Sequence, residues 1–423
     1  MTTPIPAGPE SACCSEFAGL SRRGFLTGTV ALVGTSTAFG STLLTVSSAA
    51  AATARGTLLV LSLRGAADGL SLVVPHGDPT YYSARPRIAI PSSTLVAKDG
   101  FFGMHPNLAP LLPLWSSGKF AAIHATGLPA PNRSHFSAME EVEDADPGSS
   151  ARVGWLNRLI GLDSESSPLQ AFSVGGGVAP TSLAGPQPYL SAGNIDDLRI
   201  PGDDEWDPDS RRMRSLHTLW DGSRSPLAGP MASTFRANAE FEPVRQTPET
   251  PANGATYGDT DLGRALQTAA RVVKGDVGVE VITVDHGDWD MHTGLGTLEW
   301  GRMLKLSAEL GQGLAGFFTD LGALGDKVTV VVLSEFGRRV KENGNHGLDH
   351  GYGNVMLVLG AGVKGGQYYG TWTNLTGEGD SDLLVTTDYR SVLSEVVSAR
   401  FGVSPASVFP QFQPEPLGLM RSS

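Results

Sequence analysis

The sequence predicts an α/β fold, a mostly parallel central sheet with helices on both faces, and two patterns predict it. Short β-rich apolar runs alternate with longer segments of helical period, the order that lays helices on a parallel sheet. The runs are continuously apolar rather than alternating, which is how strands covered on both faces read. Composition agrees: 423 residues with 40% hydrophobic and 17% charged supply a large core and too little charge for disorder. Glycine at 53 and proline at 28 exceed the usual shares of roughly 7% and 5%, so many turns and functional loops join the elements.

The first element is an address. Ser21-Arg22-Arg23-Gly24-Phe25-Leu26 precedes a mild apolar run, Thr27 to Val46, and a small-residue stretch, Ser47 to Ala54. This resembles a twin-arginine export signal, which implies the twin-arginine export machinery as a partner and an extracellular or cell-wall destination. Gly28, Gly34 and Gly40 break the run, which makes it weak as a stable transmembrane anchor against the roughly 20 apolar residues a span needs. Cutting after Ala50, Ala52 or Ala54 leaves a domain over 55–423 and removes Cys13 and Cys14, so neither disulfides nor thiolate metal sites are available to it. The 43 Asp and Glu against 31 Lys and Arg give a net charge of −12, which speaks against nucleic acid as a partner.

Strands are expected at Thr57 to Leu63, Phe120 to Ala125, Val279 to Val284, Val328 to Leu333 and Val355 to Leu359. Helices fit Pro106 to Trp115, Asp261 to Val273 and Tyr389 to Phe401. Another presents Met303, Leu306, Leu310, Leu314, Phe317 and Leu321 on one face and stops near Gly325. About 202–257 the chain turns irregular and rich in Pro, Asp, Ser and Thr, with one short basic amphipathic piece, Ser210 to Trp220; it reads as an insertion or lid.

In parallel α/β sheets functional groups gather beyond the carboxyl ends of strands. There this chain carries Arg64 to Gly69, Asp285 to His292, Ser334 to Arg339, and Asn345 to Gly351. Carboxylates and imidazoles converging from separate strand ends supply ligands for a divalent metal, Zn, Mn or Ca. Asp290, His292, Glu335 and His350 form the candidate set. Arg338 is a candidate clamp for an oxyanion. After the second strand comes Asn132-Arg133-Ser134-His135-Phe136. There Ser134 either caps the following helix or presents a nucleophilic hydroxyl, with backbone amides and Arg133 steadying an anionic group; His135 joins it as a catalytic candidate. His76, His105, His124 and His217 read as structural.

The motifs Leu63-Arg64-Gly65-Ala66-Ala67-Asp68-Gly69-Leu70, Met104-His105-Pro106-Asn107-Leu108, Arg133-Ser134-His135-Phe136, Trp289-Asp290-Met291-His292, Ser334-Glu335-Phe336-Gly337-Arg338 and Asp349-His350-Gly351 together resemble the bacterial domain-of-unknown-function family 1501. That family is similar in fold to the alkaline phosphatase and sulfatase superfamily. The resemblance implies that Asp68, Ser134, Asp290, His292, Glu335 and His350 surround one or two metals. Three departures stand out, the first being that Asp68 sits several residues past its strand rather than at the strand's end. Glu335-Phe336 replaces an Asp-His pair, removing one imidazole, and Asp288 competes with Asp290 for the ligand position. Two functions follow as expectations: an exported metal-dependent hydrolase of phosphate or sulfate esters, acting on a small anionic ester or cell-envelope substrate, or a non-catalytic exported binding or cell-surface assembly protein.

Overall fold

A computed structural model describes residues 56–162, 167–175, 177–200 and 207–421. The segments expected to be an export motif and a cleavage region, and both cysteines, lie outside the described residues. The strands are β1 (Thr57–Leu63), β2 (Val73–Val74), β3 (Gly103–Met104), β4 (Phe120–Gly127), β5 (Ala171–Val174), β6 (Leu190–Ala192), β7 (Val281–His286), β8 (Val328–Leu333), β9 (Asn354–Gly360), β10 (Gln367–Tyr369) and β11 (Thr387–Asp388). The principal helices are α1 (His135–Asp144), α2 (Trp155–Ile160), α3 (Arg211–Trp220), α4 (Ala228–Glu240), α5 (Glu242–Gln246), α6 (Asp261–Gly275), α7 (Arg302–Leu321) and α8 (Tyr389–Phe401).

The main sheet runs β10-β4-β9-β8-β1-β7-β5-β6, with β11 also beside β4. All its pairings are parallel except those of β9, which is antiparallel to both β4 and β8. The expected mostly parallel α/β architecture is therefore present, with one reversed strand inside it. The reversal has a local cause: a parallel return needs a crossover to the opposite edge, usually a helix. Here the chain between β8 and β9, residues 334–353, contains no helix and re-enters the sheet from the edge it left.

Both faces are covered, and alternation along β1 shows how. Leu59, Leu61 and Leu63 pack in one core with Leu262, Leu266, Leu306, Leu310, Leu314 and Phe317 of α6 and α7. Leu58 and Val60 point the other way, into a core with Trp155, Leu156, Val392 and Val396 of α2 and α8. Each face thus buries a helix layer, and β1, β8 and β9 are buried along their whole length.

Several expected elements shift. The helix expected over Pro106 to Trp115 is two pieces, a 3-10 turn Pro106–Leu111 and a short helix Leu112–Ser116, because Pro110 and Pro113 cannot supply interior N–H donors. The α7 helix stops at Leu321 rather than near Gly325, since Gly322 takes φ +52°. The stretch expected about 202–257 to be irregular apart from the amphipathic piece Ser210 to Trp220 carries that piece as α3 and, beyond expectation, α4 and α5, with few apolar residues buried. Among the described residues no helix is long and apolar enough to cross a membrane.

Candidate metal centre

Four segments meet beyond the carboxyl edge of the sheet: the turn after β1, the start of α1, the loop after β7, and the long loop between β8 and β9. Glycine permits the approach. Gly65 has φ +108°, and a Cβ there would stand 2.5 Å from the Asp290 amide nitrogen; at Gly347 one would stand 2.1 Å from the His292 carbonyl oxygen. Neither position has room for a side chain.

The approach brings three imidazoles together through their Nε2 atoms. His350 Nε2 lies 2.9 Å from His135 Nε2 and 2.9 Å from His292 Nε2. Asp290 joins them, Oδ1 at 3.2 Å from His292 Nε2 and 3.6 Å from His350 Nε2, Oδ2 at 3.7 Å from His135 Nε2. Ligand atoms of His135, Asp290 and His350 all fall within 4.8 Å of one another.

What holds the far side of each ring decides what the Nε2 atoms carry. His135 Nδ1 faces Glu335 Oε1 at 2.8 Å, His292 Nδ1 faces Asp349 Oδ1 at 2.8 Å, and His350 Nδ1 faces the carbonyl oxygen of Arg133 at 2.9 Å. A carboxylate and a carbonyl only accept, so every Nδ1 donates its hydrogen. Burial alone would raise the proton affinity of Glu335 and Asp349, yet their bonds to His135 and His292 outweigh it and hold both below the usual carboxylate range. Asp290 follows the same balance: burial raises it, but His350 and Arg338 bring it well down. With all three rings neutral, each remaining nitrogen is a lone pair, and three lone pairs and an anionic carboxylate then face one another; a proton on His350 Nε2 makes that ring the donor to Asp290 instead. Only a cation or added protons relieve that arrangement.

Imidazole nitrogens oriented by carboxylates or carbonyls on their other nitrogen are how proteins hold transition metals. Three nitrogens and one oxygen suit Zn²⁺ or Mn²⁺. The expectation of Ca²⁺ fits poorly, because that ion takes 6–8 oxygen ligands. Burial lowers the proton affinity of His350, which favours the neutral ring a metal requires.

The structure redistributes the residues singled out from sequence. Asp290, His292 and His350 converge as expected. Asp288 does not: its side chain is exposed and faces Arg302 at 3.8 Å. Glu335 is not at the centre but behind His135, also accepting from the Gly65 amide at 2.9 Å and from Ser334 Oγ at 2.9 Å. His135, expected in a catalytic role, supplies the imidazole that Phe336 was expected to remove. Phe336 is buried against the His135 and His350 rings, at 5.0 and 5.1 Å between centroids.

Asp68 stands apart, with both carboxylate oxygens taken by Arg85 at 2.6 and 3.0 Å. Arg338 is no free clamp either. Its side chain is 1% exposed and it donates to the carbonyls of Ala66, Leu348 and Gly65 and to Asp290 Oδ1, at 2.7, 3.0, 2.6 and 2.6 Å. It ties three loops together and aims Asp290. Ser134 occupies the N-cap position of α1, but its hydroxyl makes no capping bond; it is exposed and directly precedes His135. The carboxylate missed from sequence is Asp349, which Asn343 Nδ2 also holds at 3.2 Å. Its adjacency to His350 was the available signal.

The sequence profile of the family described as "Protein of unknown function (DUF1501)" matches residues 115–389. The chain belongs to this family. The matched stretch of this DUF1501 protein contains His135, Asp290, His292, Glu335, Asp349 and His350, while Asp68 and Arg85 precede it. No curated protein matches the sequence. Solved structures similar to it include a protein in the alkaline phosphatase superfamily from Vibrio parahaemolyticus, with a TM-score of 0.30 and 14% identity over 84% of this chain and 72% of that one. Another is the lipoteichoic acid synthase LtaP from Listeria monocytogenes, with a TM-score of 0.25 and 9% identity over 77% of this chain and 68% of that one.

Proposed function

We propose that this DUF1501 protein is a metal-dependent hydrolase of phosphate or sulfate esters, exported by the twin-arginine route. The observation that carries the reading is the convergence of His135, His292 and His350 through their Nε2 atoms beside the Asp290 carboxylate. These four residues would hold the ion. When bound, it would supply Lewis-acid stabilisation of charge developing on the transferred group.

The chain's own residues do the rest. Ser134 Oγ loses its proton and bonds to phosphorus or sulfur while the bond to the ester oxygen breaks and the alcohol leaves with a proton. Water then cleaves the seryl ester, restoring the hydroxyl and releasing the acid. The uncapped hydroxyl at the start of α1 supports this role. Glu335, Asp349 and the Arg133 carbonyl keep the rings in the ligating tautomer, and Arg338 keeps Asp290 aimed. Arg338 is a positioning residue in this scheme.

Metal content by mass spectrometry on the purified chain, wild type against His292→Ala and His350→Ala, is the direct test. About one or more ions per chain in wild type, lost in both variants, with turnover of 4-nitrophenyl phosphate or sulfate esters abolished by Ser134→Ala, is the expected result. A wild-type chain that takes up neither zinc nor manganese after reconstitution overturns it. Export is tested separately, by whether Arg22→Lys with Arg23→Lys retains the protein inside the cell.

A further inference from the structure

Among the described residues, three arginines near the centre are each engaged. Arg338 serves Asp290. Arg302 donates to the Asp290 carbonyl at 2.9 Å and faces Asp288. Arg133, the guanidinium the chain places next to Ser134, is ion-paired with Asp382 Oδ2. Asp382 also takes Arg339 at 3.3 Å through its other oxygen, and its side chain is 12% exposed against 40% for Arg133, so a largely buried carboxylate shared by two arginines holds a guanidinium that still reaches solvent. Charge at the centre is balanced as well. The two charges a divalent ion would bring and the one of Arg338 would be matched by the three carboxylates Asp290, Glu335 and Asp349.

Resting on the hydrolase reading, we infer that Asp382 is a specificity-determining residue: by sequestering Arg133 it sets the centre for singly charged esters, phosphodiesters or sulfate monoesters, and against phosphate monoester dianions. Among the described residues a second negative charge on the substrate would meet no uncommitted arginine there, and a charge that gives up part of its hydration without gaining a partner is costly. Asp382→Asn releases Arg133 beside Ser134 and supplies that cation.

The experiment compares zinc-loaded wild type, Asp382→Asn, Arg133→Gln and the double variant on bis(4-nitrophenyl) phosphate, 4-nitrophenyl sulfate and 4-nitrophenyl phosphate. Wild type should favour the diester or sulfate in kcat/KM. Asp382→Asn should move the ratio toward the monoester by about 10- to 100-fold, the worth of one hydrogen bond to a charged group. Adding Arg133→Gln to it should cancel the gain, whereas alone that substitution should leave the ratio near wild type. A second readout needs no turnover: calorimetric binding of inorganic phosphate at about pH 6, where the monoanion prevails, and about pH 8, where the dianion does. Wild type should bind more weakly at the higher pH and Asp382→Asn less so. A wild type that prefers the monoester, or an Asp382→Asn chain with unchanged ratio and phosphate binding, overturns the inference while leaving the hydrolase reading intact. Absence of all turnover and of phosphate binding in metal-loaded protein overturns both.

Discussion

Replacing Asp68 by Asn separates a structural carboxylate from a metal ligand. Arg85 is wholly buried and Asp68 is 2% exposed. The guanidinium makes two bonds to Asp68 and donates further to the carbonyls of Val340 and Arg339, at 2.8 and 3.0 Å. Removing the anion leaves a buried guanidinium uncompensated, which costs about 3–5 kcal/mol. Unfolding entropy of about 2.1 cal/mol/K per residue over the described domain makes each degree of Tm worth about 0.8 kcal/mol. The variant should therefore melt about 4–6 °C below wild type while keeping its full metal content. Thermal unfolding followed by circular dichroism, with metal content measured on the same samples, reads both quantities. A variant that loses metal at unchanged Tm would refute the reasoning and return Asp68 to the ligand set.

Two other outcomes follow from the same geometry. His105 and His124 are buried, with no partner for either Nε2, and burial holds their pKa values down to about 4 and about 3. Their folded values lie below the unfolded value of about 6.5, so the unfolded chain binds more protons between those limits; stability from this source is complete above about pH 6.5 and falls as pH drops. Each histidine contributes a slope of about 1.4 kcal/mol per pH unit, and His124→Phe, which keeps the stack on Phe102, should reduce the slope from urea unfolding by that amount; an unchanged slope refutes it. Gly65→Ala should destabilise by roughly 1–3 kcal/mol and weaken metal retention, because the Gly65 amide and carbonyl hold Glu335 and Arg338; equal metal affinity in an equilibrium competition with a chelator would show that this turn does not support the centre.

The legible parts of this molecule are those where one physical signal dominates. β1 and β8 match their expected bounds residue for residue because seven and six consecutive apolar or small residues leave no other element to form. The α7 face was equally plain from its 3.6-residue spacing. β5 and β6, at four and three residues, carry too short a pattern to announce themselves and exist because β7 offers them an edge. The candidate ligands divided in the same way: Asp290, His292 and His350 follow strands that could be recognised, and strand ends are where functional groups collect. Glu335 also follows such a strand, yet it serves as an orienting group, and which of two carboxylates touches a metal depends on a ring flip that no spacing encodes.

The one topological surprise and the centre have a common origin. Had β9 run parallel to β8, the chain between them would have crossed to the opposite edge of the sheet, and Asp349 and His350 would have been carried away from Asp290. By returning antiparallel, residues 334–353 stay at the carboxyl edge throughout. Arg338 and His350 can then pair as a β-bridge, and Leu348 can donate its amide to the Met291 carbonyl at 3.0 Å. Those backbone bonds fix His350 against His292 before any ion arrives. His135 is held differently: its Glu335 contact and the Arg133–His350 bond reach it across separate segments, with no strand pairing between them. The metal is therefore expected to matter most for docking α1, and His135→Ala should lose less affinity than His350→Ala in the same chelator competition. A larger loss for His135→Ala would mean that α1, and not the reversed loop, is the rigid half of the site.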